Sequence, residues 1–219
     1  MLGNKVNFKK ARIPSKKNLV GKYVVLEPIN INKHSKDLYS SFSKDKENRI
    51  WAYLPYGPFK RYGSFKKWLK SFCLNKDPFF YAIYAKRHKQ YCGMASYLRI
   101  TPAHGSIEVG HINYSPILQN TVEGTETMYL MMKNVFEVLG NRRYEWKCNN
   151  LNVGSKRAAL RLGFQFEGVF RQMFVFKGRN RDSAWFSIID KEWKKLKKGY
   201  LRFLKPSNFD KNYKQFKKL

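Results

Sequence analysis

Two rhythms of apolar residues alternate along the chain, one of period two and one of period three to four. Residues 22–29 (Lys-Tyr-Val-Val-Leu-Glu-Pro-Ile) are β-branched and aromatic and close on Pro28, which predicts a first strand. Asn32 is placed to cap a helix through Leu38, Tyr39 and Phe42, and Ser64 to cap a second through Phe65, Trp68, Leu69 and Phe72. The loop between them holds Pro55, Gly57 and Pro58 and carries Trp51, Tyr53, Tyr56 and Phe59. Three strand-like runs follow at 79–85, 91–100 and 107–114, split by Lys/His-rich and Pro/Gly-rich turns into an antiparallel meander.

The second half changes rhythm. A long helix is expected over 122–139, with Met128, Met131, Met132, Val135, Phe136 and Leu139 on its buried side and Gly140 as its stop. Residues 143–148 read as a short strand. Asn152 then caps a helix through Ala158, Ala159 and Leu162 that ends at Gly163. Runs 164–176 and 184–189 alternate and pair around the turn Lys177-Gly178-Arg179-Asn180. Beyond Lys191 the pattern is basic and partly helical, with Trp193, Leu196, Tyr200 and Phe203 as docking residues. This order predicts an α/β (α+β) domain: a mixed, mostly antiparallel sheet with helices on both faces.

Composition narrows the class. Hydrophobic residues make up 43% and aromatics 16%, enough for a packed core. The longest apolar stretch, 79–85, is far short of the roughly 20 residues a membrane helix needs. The first residues lack the apolar centre of a signal peptide, so a soluble cytoplasmic protein is expected. Cys73, Cys92 and Cys148 form no metal spacing with the four histidines and no disulfide framework, and are read as buried thiols. No metal site is expected.

The net charge of +29 gathers at the ends. Residues 1–22 hold seven Lys/Arg and no acid, and residues 191–219 hold eleven against Glu192 and Asp210. The expected division is therefore a basic extension (1–20), one domain (21–193) and a basic tail (194–219). Such a field attracts nucleic acid, the ribosome, acidic proteins or the phosphates of a nucleotide. Lysine-heavy composition alone is an equally good account, since only 13 of the 44 basic residues are Arg. No zinc-finger, RNP or helix-turn-helix signature accompanies the charge.

The candidate chemistry sits at 114–127, where a strand ends at Tyr114, Ser115-Pro116 turns, and a polar loop opens the long helix. Free N–H groups and the positive end of the helix dipole make such a terminus an anion site. Alone this is an ordinary helix start. Three further segments stand behind it in order: Asn152-Val153-Gly154-Ser155, Arg161-Leu162-Gly163-Phe164-Gln165-Phe166-Glu167-Gly168, and Gly178-Arg179-Asn180-Arg181-Asp182. With the loop Gln119-Asn120-Thr121-Val122-Glu123-Gly124, they resemble the GCN5-related N-acetyltransferase (GNAT) family over about residues 20–193. The resemblance points to the RimJ/RimL-type branch of ribosomal-protein N-acetyltransferases. Val122 departs from the family's pyrophosphate loop, which has glycine there; a side chain is tolerable provided its φ is negative.

The resemblance implies a sheet of about seven strands with a splayed parallel pair, and an acetyl-CoA-dependent transfer of acetyl to a primary amine. Acetyl-CoA would lie where the strand ending at Tyr114 parts from the strand ending at Cys148. Its pyrophosphate would meet residues Gln119, Asn120, Thr121, Val122, Glu123, Gly124 and Thr125, and Asn152 would bond the pantetheine arm besides capping its helix. Ser155 would help protonate the thiolate, or serve only as a first-turn hydroxyl. Glu108 is the candidate base, or else a salt-bridged glutamate; strict alternation puts it on the opposite face from His111. A base matters because alkylamines titrate near 10, and proton removal contributes about 10²–10⁴-fold. Trp51, Tyr53, Tyr56, Arg61 and Arg179 would form the acceptor groove, the arginines favouring a carboxylate-bearing acceptor. A protein N-terminus is the implied acceptor, with a small-molecule amine as the alternative. A different class is a basic nucleic-acid- or ribosome-binding module on a non-catalytic CoA-binding domain. Monomer and homodimer are both open.

Overall fold

The computed structural model describes residues 2–219. Its strands are β1 (Leu19–Val20), β2 (Val24–Pro28), β3 (Phe79–Ala85), β4 (Gln90–Thr101), β5 (Ser106–Tyr114), β6 (Arg143–Asn149), β7 (Gln165–Phe176) and β8 (Arg179–Ile189). They form a single sheet in the order β1-β2-β3-β4-β5-β6-β8-β7, antiparallel throughout except for the parallel pair β5–β6. This is the mixed, mostly antiparallel sheet that the sequence predicts, with one parallel pair. The two-residue β1 at its edge escapes a pattern reading because it is too short to alternate.

The helices are α1 (Ile31–Phe42), α2 (Tyr62–Phe72), α3 (Val122–Lys133), α4 (Val153–Arg161) and α5 (Asp190–Phe203). Each face of the sheet has its own core. One joins Leu38 and Phe42 of α1, Phe65 and Leu69 of α2, and Phe80, Ala82 and Met94 of the sheet. The other joins Met128, Met131 and Met132 of α3, Ala159 of α4 and Tyr200 of α5 to Tyr97, Val109, Tyr144 and Phe186. Cys73, Cys92 and Cys148 are buried within these cores.

Most element ends fall within a residue or two of expectation, and the misses have local causes. The cap of α1 is Asn30, whose side chain accepts from Lys33 N, so Asn32 lies inside the helix. Ser64 does not cap α2; the helix begins at Tyr62 and the Ser64 hydroxyl donates back to Arg61 O. The long helix ends as expected at Gly140 (φ 74°), but its last turn, Asn134–Leu139, is a wider π turn. The turn of the β7–β8 hairpin is only Lys177-Gly178, so Arg179 and Asn180 are already strand.

The two basic ends are attached to the domain. Ala11 N donates to Pro102 O and Arg12 N to Leu139 O. The boundary drawn at residue 193 falls inside α5, which buries Trp193, Tyr200 and Phe203 against the larger core. Glu126 of α3 ties the sheet edge to the helix by accepting from the N–H groups of Lys22, Tyr23 and Val24 at 2.6–2.8 Å.

Candidate active site

Strands β5 and β6 pair from Ser106↔Arg143 to Val109↔Trp146 and no further. Beyond that point β5 runs on to Tyr114 beside β4, while β6 runs on to Asn149 beside β8. The facing edges of the two strands are therefore unpaired and diverge into a wedge. At the start of the wedge β5 carries an extra residue, because its register against β4 shifts between Met94↔Asn113 and Ser96↔Gly110, and His111 takes φ 50°.

That bulge overturns the expectation that Glu108 and His111 lie on opposite faces. Ile107 and Val109 belong to the α3-side core, and Ile112 and Tyr114 pack against it too, so one step of the alternation is lost. His111 turns to the α1–α2 side, the side of Glu108, and packs against Tyr56, Phe72 and Phe80. Its Nδ1 is 3.0 Å from the Tyr56 hydroxyl, and burial among carbon lowers its pKa to about 4. Glu108, 5% exposed, pairs with Lys147 of β6 at 2.6 Å and Arg99 of β4 at 3.1 Å. Burial raises its pKa while the two cations oppose that rise. Sequence reasoning missed Lys147, which becomes visible only once β5 and β6 are known to be parallel neighbours.

The mouth of the wedge is the start of α3. Thr121 caps the helix, accepting from Gly124 N at 3.1 Å and donating to Leu118 O at 2.8 Å. The Gln119 side chain donates to Tyr114 O at 2.9 Å, so it shapes the loop from within. Gly124 is required by close packing: a Cβ there would stand 2.7 Å from Leu118 O and 3.2 Å from the Tyr114 ring. Val122 begins the helix without a positive φ, which meets the condition set for a side chain at that position; the left-handed residue of the loop is Asn120 (φ 57°). The N–H groups of residues 120–123 have no intramolecular partner among the described residues.

Charge at this mouth suits an anion. The Glu123 side chain, 1% exposed, is turned inward onto Arg87 at 3.0 Å, which removes a carboxylate from the helix terminus. Arg161, exposed at the end of α4, brings its guanidinium to Thr125 Oγ1 at 3.3 Å, within the first turn of α3. The sequence named Arg161 only within a turn motif and gave no sign that it reaches the phosphate loop.

The opposite lip of the wedge is the start of α4. Asn152 accepts from Ser155 N at 3.0 Å through Oδ1, leaving its amide nitrogen without an intramolecular partner among the described residues. Ser155 Oγ accepts from Trp146 Nε1 at 3.0 Å, and its hydroxyl lies within hydrogen-bond reach of the Cys148 thiol. The amide row at α3 follows β5 and the Asn152/Ser155 pair follows β6, so the two groups stand at the ends of the two strands that part.

On the α1–α2 side, Tyr56 joins Trp68 and His111, and Trp51 is a buried wall packed on Phe42 and Phe59. The Tyr53 hydroxyl donates to Leu151 O at 3.2 Å, bringing the loop before α2 over the β6–α4 connection. Lys177 at the hairpin tip donates to Trp51 O at 3.2 Å and closes the same groove from the other side. Arg61 and Arg179 are both exposed and neither side chain has a polar contact among the described residues.

The comparisons agree with this geometry. A family profile described as "Acetyltransferase (GNAT) domain" matches residues 24–165. Among proteins of curated function the sequence finds no match. The fold is similar to a GCN5-related N-acetyltransferase from Brucella melitensis, with a TM-score of 0.94 and 42% identity over 97% of this chain and 96% of that one. A probable GNAT-family acetyltransferase from Chromobacterium violaceum gives 0.81 and 39% identity over 89% of this chain and 96% of that one. The RimL ribosomal L7/L12 α-N-protein acetyltransferase in complex with coenzyme A gives 0.67 and 18% identity over 80% and 99%, a likeness of fold alone. With the splayed strands, the capped amide row and a profile match spanning most of the domain, the chain belongs to the GNAT acetyltransferase family.

Proposed function

We propose that this acetyltransferase uses acetyl-CoA to acetylate a primary amine, and that the amine is the N-terminus of a protein or peptide, as in RimJ/RimL-type enzymes. The observation that carries the reading is the wedge between β5 and β6, with unpartnered N–H groups of residues 120–123 at its mouth and Ser155 on its lip. When bound, acetyl-CoA supplies the activated acetyl group. Residues 120–123 hold the pyrophosphate through backbone amides, with Arg161 adding charge, and the free Asn152 amide donates to the pantetheine arm. The unpaired edges of β5 and β6 take the remaining amides as an added strand.

On the acceptor side, Glu108 serves as the base. Burial strengthens its hold on a proton, and Lys147 and Arg99 share its charge once the proton has moved on. The Ser155 hydroxyl, held in place by the Trp146 Nε1–H that it accepts from, donates to the departing thiolate. Trp51 and Tyr56 wall the acceptor groove, and Tyr53 fixes its rim. The groove is open at Arg61 and Arg179, which suits a chain end more than an enclosed small amine. Ribosome or nucleic-acid contact falls to the exposed face of α5, where Lys191, Lys194, Lys195, Lys198 and Arg202 have no acid paired to them among the described residues.

The test is acetyl-CoA binding by calorimetry, with Gly124→Trp as control. The parent should bind with heat and Gly124→Trp should not. A parent that binds nothing ends the acetyltransferase proposal.

A further inference from the structure

We propose that Arg181 is an anion subsite of the acceptor groove, so that the amine this enzyme acetylates carries a carboxylate close to it. The inference rests on the acetyltransferase reading above and names the class of its acceptor.

The face of the sheet opposite α3 between β5 and β7 is crowded with charge, and nearly all of it is spent. Glu108 holds Lys147 and Arg99, while Arg143 holds Glu145 at 2.7 Å and pairs with Glu167 as well. Arg181 is half-buried on this face, yet among the described residues no carboxylate lies within 4.0 Å of it; Arg179, the other unpaired arginine of β8, is exposed. Its guanidinium carbon is 5.5 Å from the ring centres of both Phe174 and Phe176 on β7, and its Nε is buried without a hydrogen-bond partner. Two positions along on the same face of β8, the fully buried Ser183 hydroxyl is also unpartnered.

Both groups sit where β6 ends, since Ser183 pairs with Asn149 and Asn150 N donates to Asp182 O. This is the rim of the groove closed by Tyr53 and Lys177. Burial works against the charge of Arg181, and Arg99 works against it too; the Glu108 carboxylate favours it, but from beyond ion-pair distance. A guanidinium keeps its proton regardless, so a half-buried one without an acid calls for an anion from outside. Its planar fork matches a carboxylate, and the Ser183 hydroxyl supplies a further donor. Phe174 and Phe176 hold the guanidinium in place, which reduces the entropy lost on binding. Arg61 and Arg179, the arginines the sequence favoured for this role, are both solvent-exposed and lack such a frame.

The carboxylate has two sources, the side chain of an acidic residue in a protein N-terminus and the α-carboxylate of a free amino acid. Product binding separates them. The full-length protein saturated with coenzyme A is titrated with N-acetyl-Ser-Glu-Ala-amide, N-acetyl-Ser-Gln-Ala-amide, N-acetylserine and N-acetylserine amide. A carboxylate ligand should bind at least about tenfold more tightly than its amide twin, the worth of one charge-assisted pair. Preference in the peptide pair assigns an acidic N-terminus, and preference in the amino-acid pair assigns a free amino acid. Arg181→Gln should abolish the preference and Arg181→Lys should keep part of it, both binding coenzyme A like the parent. Equal binding of the twins, absence of binding by all four up to about 10 mM, or a preference that survives in Arg181→Gln each overturns the proposal. Loss of coenzyme A binding by the parent is a separate result, and it sinks the acetyltransferase reading itself.

Discussion

His111 and Ser155 are single residues whose surroundings set their chemistry, and each makes a measurable claim. His111 sits among Tyr56, Phe72 and Phe80, where burial takes its pKa from the ordinary 6.5 to about 4. An unfolded chain binds that proton below pH 6.5, whereas the folded one refuses it until about pH 4. The neutral ring therefore contributes stability in full above pH 6.5, and this is lost as pH falls towards 4. The loss amounts to at most about 3 kcal/mol. His111→Asn tolerates the positive φ and does not titrate in this range, so it should lose less stability than the parent between pH 7 and pH 4 in urea unfolding. Parallel pH curves for the two proteins would show that the histidine is not the sensor. For Ser155, replacement by alanine should lower kcat by at least about tenfold, with the acetyl-CoA Kd nearly unchanged. An unaltered kcat removes Ser155 from the reaction. The identity of this serine was legible because Asn152 and Ser155 are close in sequence. Its bond to Trp146 was not, because that contact depends on β6 lying under α4.

At the scale of elements, α5 tests how far the basic end belongs to the fold. Its lysines made it read as a tail, yet Tyr200 is 1% exposed and donates to Leu162 O at 2.8 Å. Periodicity had marked Trp193, Leu196, Tyr200 and Phe203 as docking residues, and charge had argued the other way. Packing decides, since three large rings leave water along one stripe while the lysines remain outside it. Tyr200→Ala is expected to cost about 3–5 kcal/mol, the range for emptying a large aromatic site, before any loss from the stranded Leu162 carbonyl. A change below about 1 kcal/mol in denaturant unfolding would mean that α5 is peripheral. The same logic explains the misplaced caps. Ser, Asn and Asp near a helix start are interchangeable candidates in sequence, and only backbone geometry picks Asn30 over Asn32.

In the whole molecule, local rhythm and long-range pairing divided the work. The sequence determined the kinds and order of elements, because apolar spacing, Gly140 and Gly163 act over a few residues wherever the chain lies. It also determined the loop at 119–124 and the segments around Asn152, Arg161 and Gly178, whose order carried the family. Tertiary structure decided the rest. Alternation assumes one residue per strand position, and the bulge at His111 breaks that assumption through pairing with a strand fifteen or so residues away. Parallel pairing of β5 with β6 put Lys147 on Glu108, and α4 carried Arg161 to the mouth of the wedge. The isolation of Arg181 is the furthest from sequence of all. Which arginine ends half-buried without an acid depends on where every acid of the chain ends up, and only the assembled sheet fixes that.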